Sequence, residues 1–276
     1  MSDPLIMDVN PGTPTPSDSG FAPEQRAGVL VETLPYIQQF AGQVVVVKVG
    51  GHAMDDGDLA ARFAEDVVLM HSVGIRPVVV HGGGPQIGAL MERLGIQPEF
   101  REGLRVTDAA TLEVARMVLV GKVNRDIVSG INVHGPLAVG LSGEDAGLIT
   151  ASARNPELGY VGDVEAINPA IVERLLVESL IPVVSTIGAD LTGQSYNINA
   201  DTAAAALAAA GKTPGLCWGF ARSSVHPTKR KTARSNPILY TENLMLYPSV
   251  PVAFMANLQR RSTPSGNAAS SISKRG

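Results

Sequence analysis

The chain has 276 residues, of which 45% are hydrophobic, 17% charged and 4% aromatic, with a net charge of −4. That is enough apolar material for a sizeable core in one large domain or two lobes, and the single cysteine, Cys217, excludes an internal disulfide framework and a cysteine-rich zinc site. The longest apolar run, Ala203–Ala210, is too short to cross a bilayer, and the first twenty residues lack the basic and apolar stretches of a secretory signal, so a cytoplasmic α/β protein with no membrane partner is expected.

Residues 1–22, rich in Pro, Ser, Asp, Gly and Thr, read as a disordered tail. From Pro23 to Phe40 the apolar residues Leu30, Leu34, Ile37 and Ala41 keep a helical spacing. Pro35 lies inside it, which predicts a bent helix or two short ones. This arm, 23–41, either lies on the core or reaches a partner subunit. Val44–Val49 is a β-branched run broken only by Lys48, as in a strand buried on both faces, and Gly50-Gly51 follows at once. Leu59, Phe63, Val67 and Met70 mark a helix. Pro77–Val80 is a second strand, ending in His81-Gly82-Gly83-Gly84 before a helix marked by Ile87, Met91 and Leu94.

Leu112, Ala115, Val118 and Leu119 mark the next helix, with Thr107 or Asp108 as its cap. Leu137–Leu141 and Ile181–Ile187 read as strands, Tyr160–Ile167 as a hairpin about Gly162-Asp163, and Ile171, Leu175 and Leu180 as one more helical face. Strands alternating with helices predict a three-layer sandwich around a mainly parallel sheet. Its ligands belong beyond the carboxyl ends of the strands, where both glycine clusters fall.

Charge divides the chain. Residues 1–210 carry 12 Lys and Arg against 25 Asp and Glu, whereas residues 211–276 carry 10 against the single acid Glu242. After Gly211 the periodicity also dissolves, apart from the apolar Leu244–Met255 with Pro248 and Pro251 inside it, so 211–276 reads as a mostly irregular basic tail. The simplest account is a shift of reading frame after Ala210. A different, genuine C-terminus is the alternative.

Four segments point to chemistry. A lysine near the end of a buried strand needs a counter-charge, and glycines directly after it let backbone N–H groups approach an anion. Lys48, Gly50 and Gly51 therefore suggest a phosphate or phosphoryl site, against an ordinary turn beside a lysine that reaches solvent. Gly82, Gly83 and Gly84 leave N–H groups at a helix N-terminus, a second anion site or a plain tight turn. A dinucleotide fingerprint fails here because Ile87 stands where its third glycine should. A P-loop ending in Gly211-Lys212-Thr213 fails at Ala206. In Gly103-Leu104-Arg105-Val106-Thr107 the arginine could clamp a carboxylate, or simply be a surface residue. In Asn197-Ile198-Asn199-Ala200-Asp201 one residue could cap the following helix, leaving two polar residues to explain.

Taken in this order and spacing, the four segments resemble the amino acid kinase family. Within it, residues 24–210 are similar to the acetylglutamate kinases of the arginine pathway, of actinobacterial type. Arg116–Val120, Leu141–Asp145 and Pro182–Thr186 add to the likeness. The resemblance implies phosphorylation of the γ-carboxylate of N-acetyl-L-glutamate by ATP. Lys48 would stabilise the transferring phosphoryl group and Asp201 would orient the catalytic lysines. Gly50 and Gly51 would approach the ATP phosphates, while Gly83, Gly84, Arg105 and Asn197 would hold acetylglutamate. Mg2+ would arrive on the nucleotide phosphates, without a metal cage of protein carboxylates. Family members with such an N-terminal helix interlace it to join dimers into a hexameric ring tied to arginine feedback, so a homo-oligomer is expected.

The family continues past this point into a nucleotide lobe with a Gly-x-x-Pro-Lys segment carrying a second catalytic lysine. Lys212, Lys229, Lys231 and Lys274 match nothing of the kind. Residues 42–210 therefore read as the substrate lobe and the start of a second lobe left incomplete, with an exposed sheet edge. Losing one charge-neutralising donor at such a site costs ~10²–10³-fold in rate, so loss of a lobe argues against full activity. Two other readings stand beside the kinase: a non-catalytic acetylglutamate-binding remnant, and a binder of nucleic acid or an acidic partner through the basic tail. The tail has no regular basic helix and no interleaved aromatics, which disfavours nucleic acid.

Overall fold

A computed structural model describes residues 23–101, 104–211, 218–223, 240–241 and 244–246. The chain divides after Pro35 into two units. The first contributes the opening turns of helix α1 (Pro23–Phe40), which runs through Pro35 as one helix. The second carries all the strands among the described residues.

Strands β1 (Val44–Val49), β2 (Arg76–His81), β5 (Ala138–Ser142) and β8 (Ile181–Ser185) pair in parallel in the order β1-β2-β8-β5. They read as near-continuous apolar runs because both faces are covered. Val44, Val46, Val78 and Val80 pack on one side against α7 (Ala170–Val177) and α8 (Ala200–Ala210). Val49, Val79 and Val183 pack on the other against α3 (Gly57–Ser72), α4 (Gly84–Arg93), α5 (Ala109–Arg116) and α6 (Asn124–Asn132). Tyr36, Ile37 and Phe40 join Val45 and Val47 in a third cluster. The result is the expected three-layer α/β sandwich.

The connections carry their own local signals. Asp56 caps α3 by accepting from Asp58 N and Leu59 N, and Asp108 caps α5 by accepting from Thr111 N at 2.8 Å. Between α5 and α6, residues Met117–Val123 form a π-helical segment that a 3.6-residue pattern does not announce. A five-residue helix, α2 (Gly51–Asp55), follows the first glycine pair.

Two expectations are corrected. Val161–Ile167 is a single strand, β7, paired antiparallel with β6 (Ile149–Ala153), because Gly162 and Asp163 take partners across the ladder instead of turning. The run Ile181–Ile187 breaks at Thr186, and Ile187–Ala189 forms β9. With β10 (Ser195–Ile198) these strands close into a small barrel, β10-β7-β6-β9.

Within the tail after Gly211, read as mostly irregular, the described residues form β11 (Trp218–Ser223) in parallel with β1, followed by β12 (Tyr240–Thr241) and β13 (Leu244–Leu246). An open edge of backbone N–H and C=O groups recruits a strand through the main chain, whatever the side-chain period. A two-stranded ribbon, β3 (Phe100–Arg101) with β4 (Leu104–Arg105), projects beside α4. Gly103, part of the arginine motif, lies outside the described residues. Among the described residues no helix is long and apolar enough to cross a membrane.

Candidate active site

The carboxyl ends of the central strands lie level. Val49 stands opposite His81, His81 opposite Ser185, and Ser185 opposite Ser142. A cleft opens beyond them, and every residue singled out from the sequence lines it: Lys48, Gly50, Gly51, Gly83, Gly84, Arg105, Asn197 and Asp201. Three strand ends, two glycine turns, the ribbon and the start of α8 thus meet at one place, from positions as far apart in the chain as Lys48 and Asp201.

Lys48 is 14% exposed, and its Nζ lies 3.4 Å from Asp201 Oδ1. The carboxylate offsets the cost of keeping an ammonium group so near the core. It also holds the lysine at the cleft floor. Asn199 is the cap of α8, accepting from Asp201 N at 2.9 Å and Thr202 N at 3.1 Å. That accounts for one of the three polar residues in this segment and leaves Asn197 and Asp201 lining the cleft.

Gly83 is the N-cap of α4 and Gly84 its first residue, so the free N–H groups of the first turn stand at the cleft. The two glycines differ. A Cβ on Gly83 would lie 2.8 Å from Leu119 Cδ2 and 3.1 Å from Val123 Cγ2, whereas one on Gly84 would meet nothing within 4 Å. Gly83 is thus required for helix packing, whereas Gly84 borders open space in the cleft.

Arg105 is held before any ligand arrives. Its Nη2 donates to Gly84 O at 3.1 Å, its Nη1 to Met91 Sδ at 3.4 Å, and its guanidinium stacks 4.7 Å from the centre of the Phe100 ring. Burial draws its pKa below the ordinary arginine value, yet a guanidinium stays charged at physiological pH. With five N–H donors it has others to offer a carboxylate.

Sequence reasoning missed several lining residues. Phe100 carried no signal until the ribbon folded it under Arg105. Leu119 reaches the cleft from the π-helical segment. Thr186, at the end of the Pro182–Thr186 segment, donates to His81 O at 3.4 Å, and that segment was the available clue. Among the described residues no group of three or more His, Cys, Asp or Glu could hold a metal ion.

The model of the amino acid kinase family matches residues 43–216. The acetylglutamate kinase of Nostoc punctiforme is 55% identical over 186 residues, 67% of this chain and 62% of that protein. That of Saccharopolyspora erythraea is 55% identical over 193 residues, 67% of this chain and 64% of that protein. That of Acaryochloris marina is 49% identical over 226 residues, 78% of this chain and 80% of that protein. The chain thus spans less than two thirds of the first two relatives. Among solved structures, one from Streptococcus mutans UA159 superposes with a TM-score of 0.55 at 30% identity, over 60% of this chain and 67% of that one. N-acetylglutamate synthase from Neisseria gonorrhoeae, solved with coenzyme A and N-acetyl-glutamate, superposes with a TM-score of 0.59 at 24% identity, over 70% of this chain and 45% of that one, and shares the fold.

Proposed function

The chain belongs to the amino acid kinase family, and on that premise we propose that its cleft binds N-acetyl-L-glutamate for phosphorylation of the γ-carboxylate by ATP, in the cytoplasm. The observation that carries this reading is the convergence of Lys48, Gly84, Arg105 and Asn197 on one crevice. Both reactants are anions, so the work of such a site is positioning and charge neutralisation. Arg105, already fixed on Phe100 and Gly84 O, takes the α-carboxylate, with Asn197 beside it. The first-turn N–H groups of α4 face the γ-carboxylate and the phosphoryl group.

A carboxylate oxygen forms the new bond to the γ-phosphorus as the bond to the bridging oxygen breaks, and the electron pair leaves with ADP. Lys48 stands where it can neutralise the phosphoryl oxygens, with Asp201 aiming it. The open cradle at Gly84 and the cation at Lys48 fit an anionic phosphate, with Gly50 and Gly51 at the nucleotide side. Magnesium would arrive with the nucleotide and would supply neutralisation of phosphate charge beside Lys48, with no cluster of protein carboxylates among the described residues to hold it.

The charge reversal after Ala210 favours a second reading, in which this polypeptide binds acetylglutamate but turns it over poorly or not at all. One titration calorimetry experiment addresses the shared part. N-acetyl-L-glutamate should bind the full chain, and Arg105→Ala should weaken it by ~10-fold or more, because a charged hydrogen bond is lost. Equal binding by both rules the reading out. Reading the gene around codon 211 in all three frames tests the tail: a shifted frame should encode Gly-x-x-Pro-Lys, and its absence from every frame ends the frameshift account.

The exposed Leu30 and Leu34 of α1 suit a homo-oligomeric contact. Light scattering on the full chain and on one starting at Gly42 should differ in assembly size. An unchanged number of subunits per particle removes the arm's role.

A further inference from the structure

Two fully buried polar side chains, His81 and Asn124, meet beneath the second glycine turn. How Asn124 gets there follows from helix pitch. An α-helix turns about 100° per residue, so Asn124 would lie roughly 140° round the axis from Leu119. The π-helical segment closes its ring one residue later, with Asn124 N donating to Leu119 O. This brings Asn124 back toward the face on which Leu119 and Val123 press against Gly83.

From there the Asn124 amide reaches two strands and an imidazole. Its Nδ2 donates to Val183 O at 2.8 Å, lies 3.3 Å from Leu141 O, and lies 3.1 Å from His81 Nε2. Its Oδ1 accepts from Arg125. Turning the amide over would set its oxygen against those carbonyls, so the orientation is fixed. A nitrogen that receives a hydrogen carries none, so the His81 proton sits on Nδ1, which donates to Gly82 O at 3.0 Å. The Gly82–Gly83 peptide is trans. Its carbonyl and the Gly83 N–H therefore point in opposite directions. With the carbonyl tied to His81, the N–H turns to the other side of the peptide, in the part of the chain that lines the cleft.

We propose that His81 and Asn124 are positioning residues that lock the Gly82–Gly83 peptide so that the Gly83 N–H faces an anionic carboxylate or phosphoryl oxygen in the cleft. The identity of that anion rests on the function proposed above; the locking does not. A neutral imidazole is essential to the device, since a second ring proton would set two donors face to face. Burial drives the His81 pKa down to about 4, with the Gly82 carbonyl opposing that fall and the Arg125 charge adding to it.

The test uses the full chain labelled with 15N and three variants. His81→Leu and Asn124→Leu remove the donors, whereas His81→Asn keeps an amide N–H near the position of Nδ1. In the unaltered protein the imidazole nitrogens should report a proton on Nδ1 alone. The Gly83 amide resonance should shift in both leucine variants and return toward its original position in His81→Asn. N-acetyl-L-glutamate should bind ~10-fold more weakly to the leucine variants and within about threefold of normal to His81→Asn.

A proton found on Nε2, or a Gly83 amide unmoved by His81→Leu, overturns the proposal. So does an equal loss of affinity in His81→Leu and His81→Asn. If the leucine variants do not fold, the ring nitrogens of the unaltered protein and the Gly83 amide of His81→Asn still decide it. If the unaltered protein fails to bind acetylglutamate, the functional reading falls, while the Gly83 resonance still tests the locking.

Discussion

The two glycine turns stand side by side on neighbouring parallel strands, and they are braced in different ways. After β1, Gly51 O accepts from Gln86 Nε2 at 2.8 Å, and the same amide donates to Asp55 Oδ1 at 2.6 Å. After β2, Gly82 O accepts from His81 Nδ1 at 3.0 Å. The first brace reaches across from another helix, and its bond to Asp55 is exposed. The second comes from beneath, out of a core that excludes water. The His81 side chain is fully buried, whereas the Gln86–Asp55 bond is exposed, so an imidazole left without its partner costs more than the Gln86 amide left without Asp55. Damage to the second turn should therefore appear in stability as well as binding, and damage to the first mostly in the local geometry of the site.

The largest expected effect contrasts neighbours within the second turn. Gly83→Ala drives a methyl group to 2.8 Å from Leu119 and should destabilise the fold by about 1–3 kcal/mol in urea unfolding. Gly84→Ala meets no atom within 4 Å and should leave stability within about 0.5 kcal/mol, while its methyl group weakens ligand binding. Equal stability losses would break the contrast.

Next comes pH. His81 titrates near 4 when folded and near 6.5 when unfolded. Its depressed folded value means that its contribution is complete above pH 6.5 and is lost as pH falls toward 4, by about 3 kcal/mol. Asp66 opposes this. Burial, then the Glu65 charge, raise its carboxyl to about 6 from 3.8, against the lowering effect of Arg62. Its contribution is complete below 3.8 and lost as pH rises through 6. Asp66→Asn should therefore steepen the rise of stability between pH 4 and 6.5 and stabilise the chain at pH 7.5 by about 1 kcal/mol. A flat profile in that variant would mean that His81 is not a buried neutral group. The smallest effect belongs to the first turn: Gln86→Ala should cost about 0.5–1 kcal/mol, and a loss as large as that of Gly83→Ala would erase the distinction between the braces.

Much of this site was legible because its residues sit beside strong local punctuation. Lys48 precedes a glycine pair, Gly83 and Gly84 separate a strand from a helix, and Asn199 caps α8, so each could be placed on an element from its neighbours alone. The partners of these residues were not legible. Asn124 lies 43 positions from His81, and the α-helical period points it elsewhere until the π-helical segment redirects it. Phe100 depends on a two-residue ribbon too short to show a period. The fold shows the same divide. β1 and β2 are doubly buried and read plainly, whereas the barrel strands β6 and β10 are short, half polar, and defined only by distant pairing. Gly162 looked like a turn because glycine often is one. Here it is kept small by Tyr196, whose Cβ would stand 2.6 Å from any added methyl group.

The pairing of β1 with β11 also has a consequence in time. Val44 finds its partner Trp218 only after most of the chain has left the ribosome. Until then one side of the valine strand offers unpaired backbone to any other extended segment, and so long a loop closes slowly. The nascent chain therefore passes through an interval in which this valine-rich strand is open to other molecules. The yield of soluble protein should respond to translation speed and chaperone supply more than the finished fold would suggest.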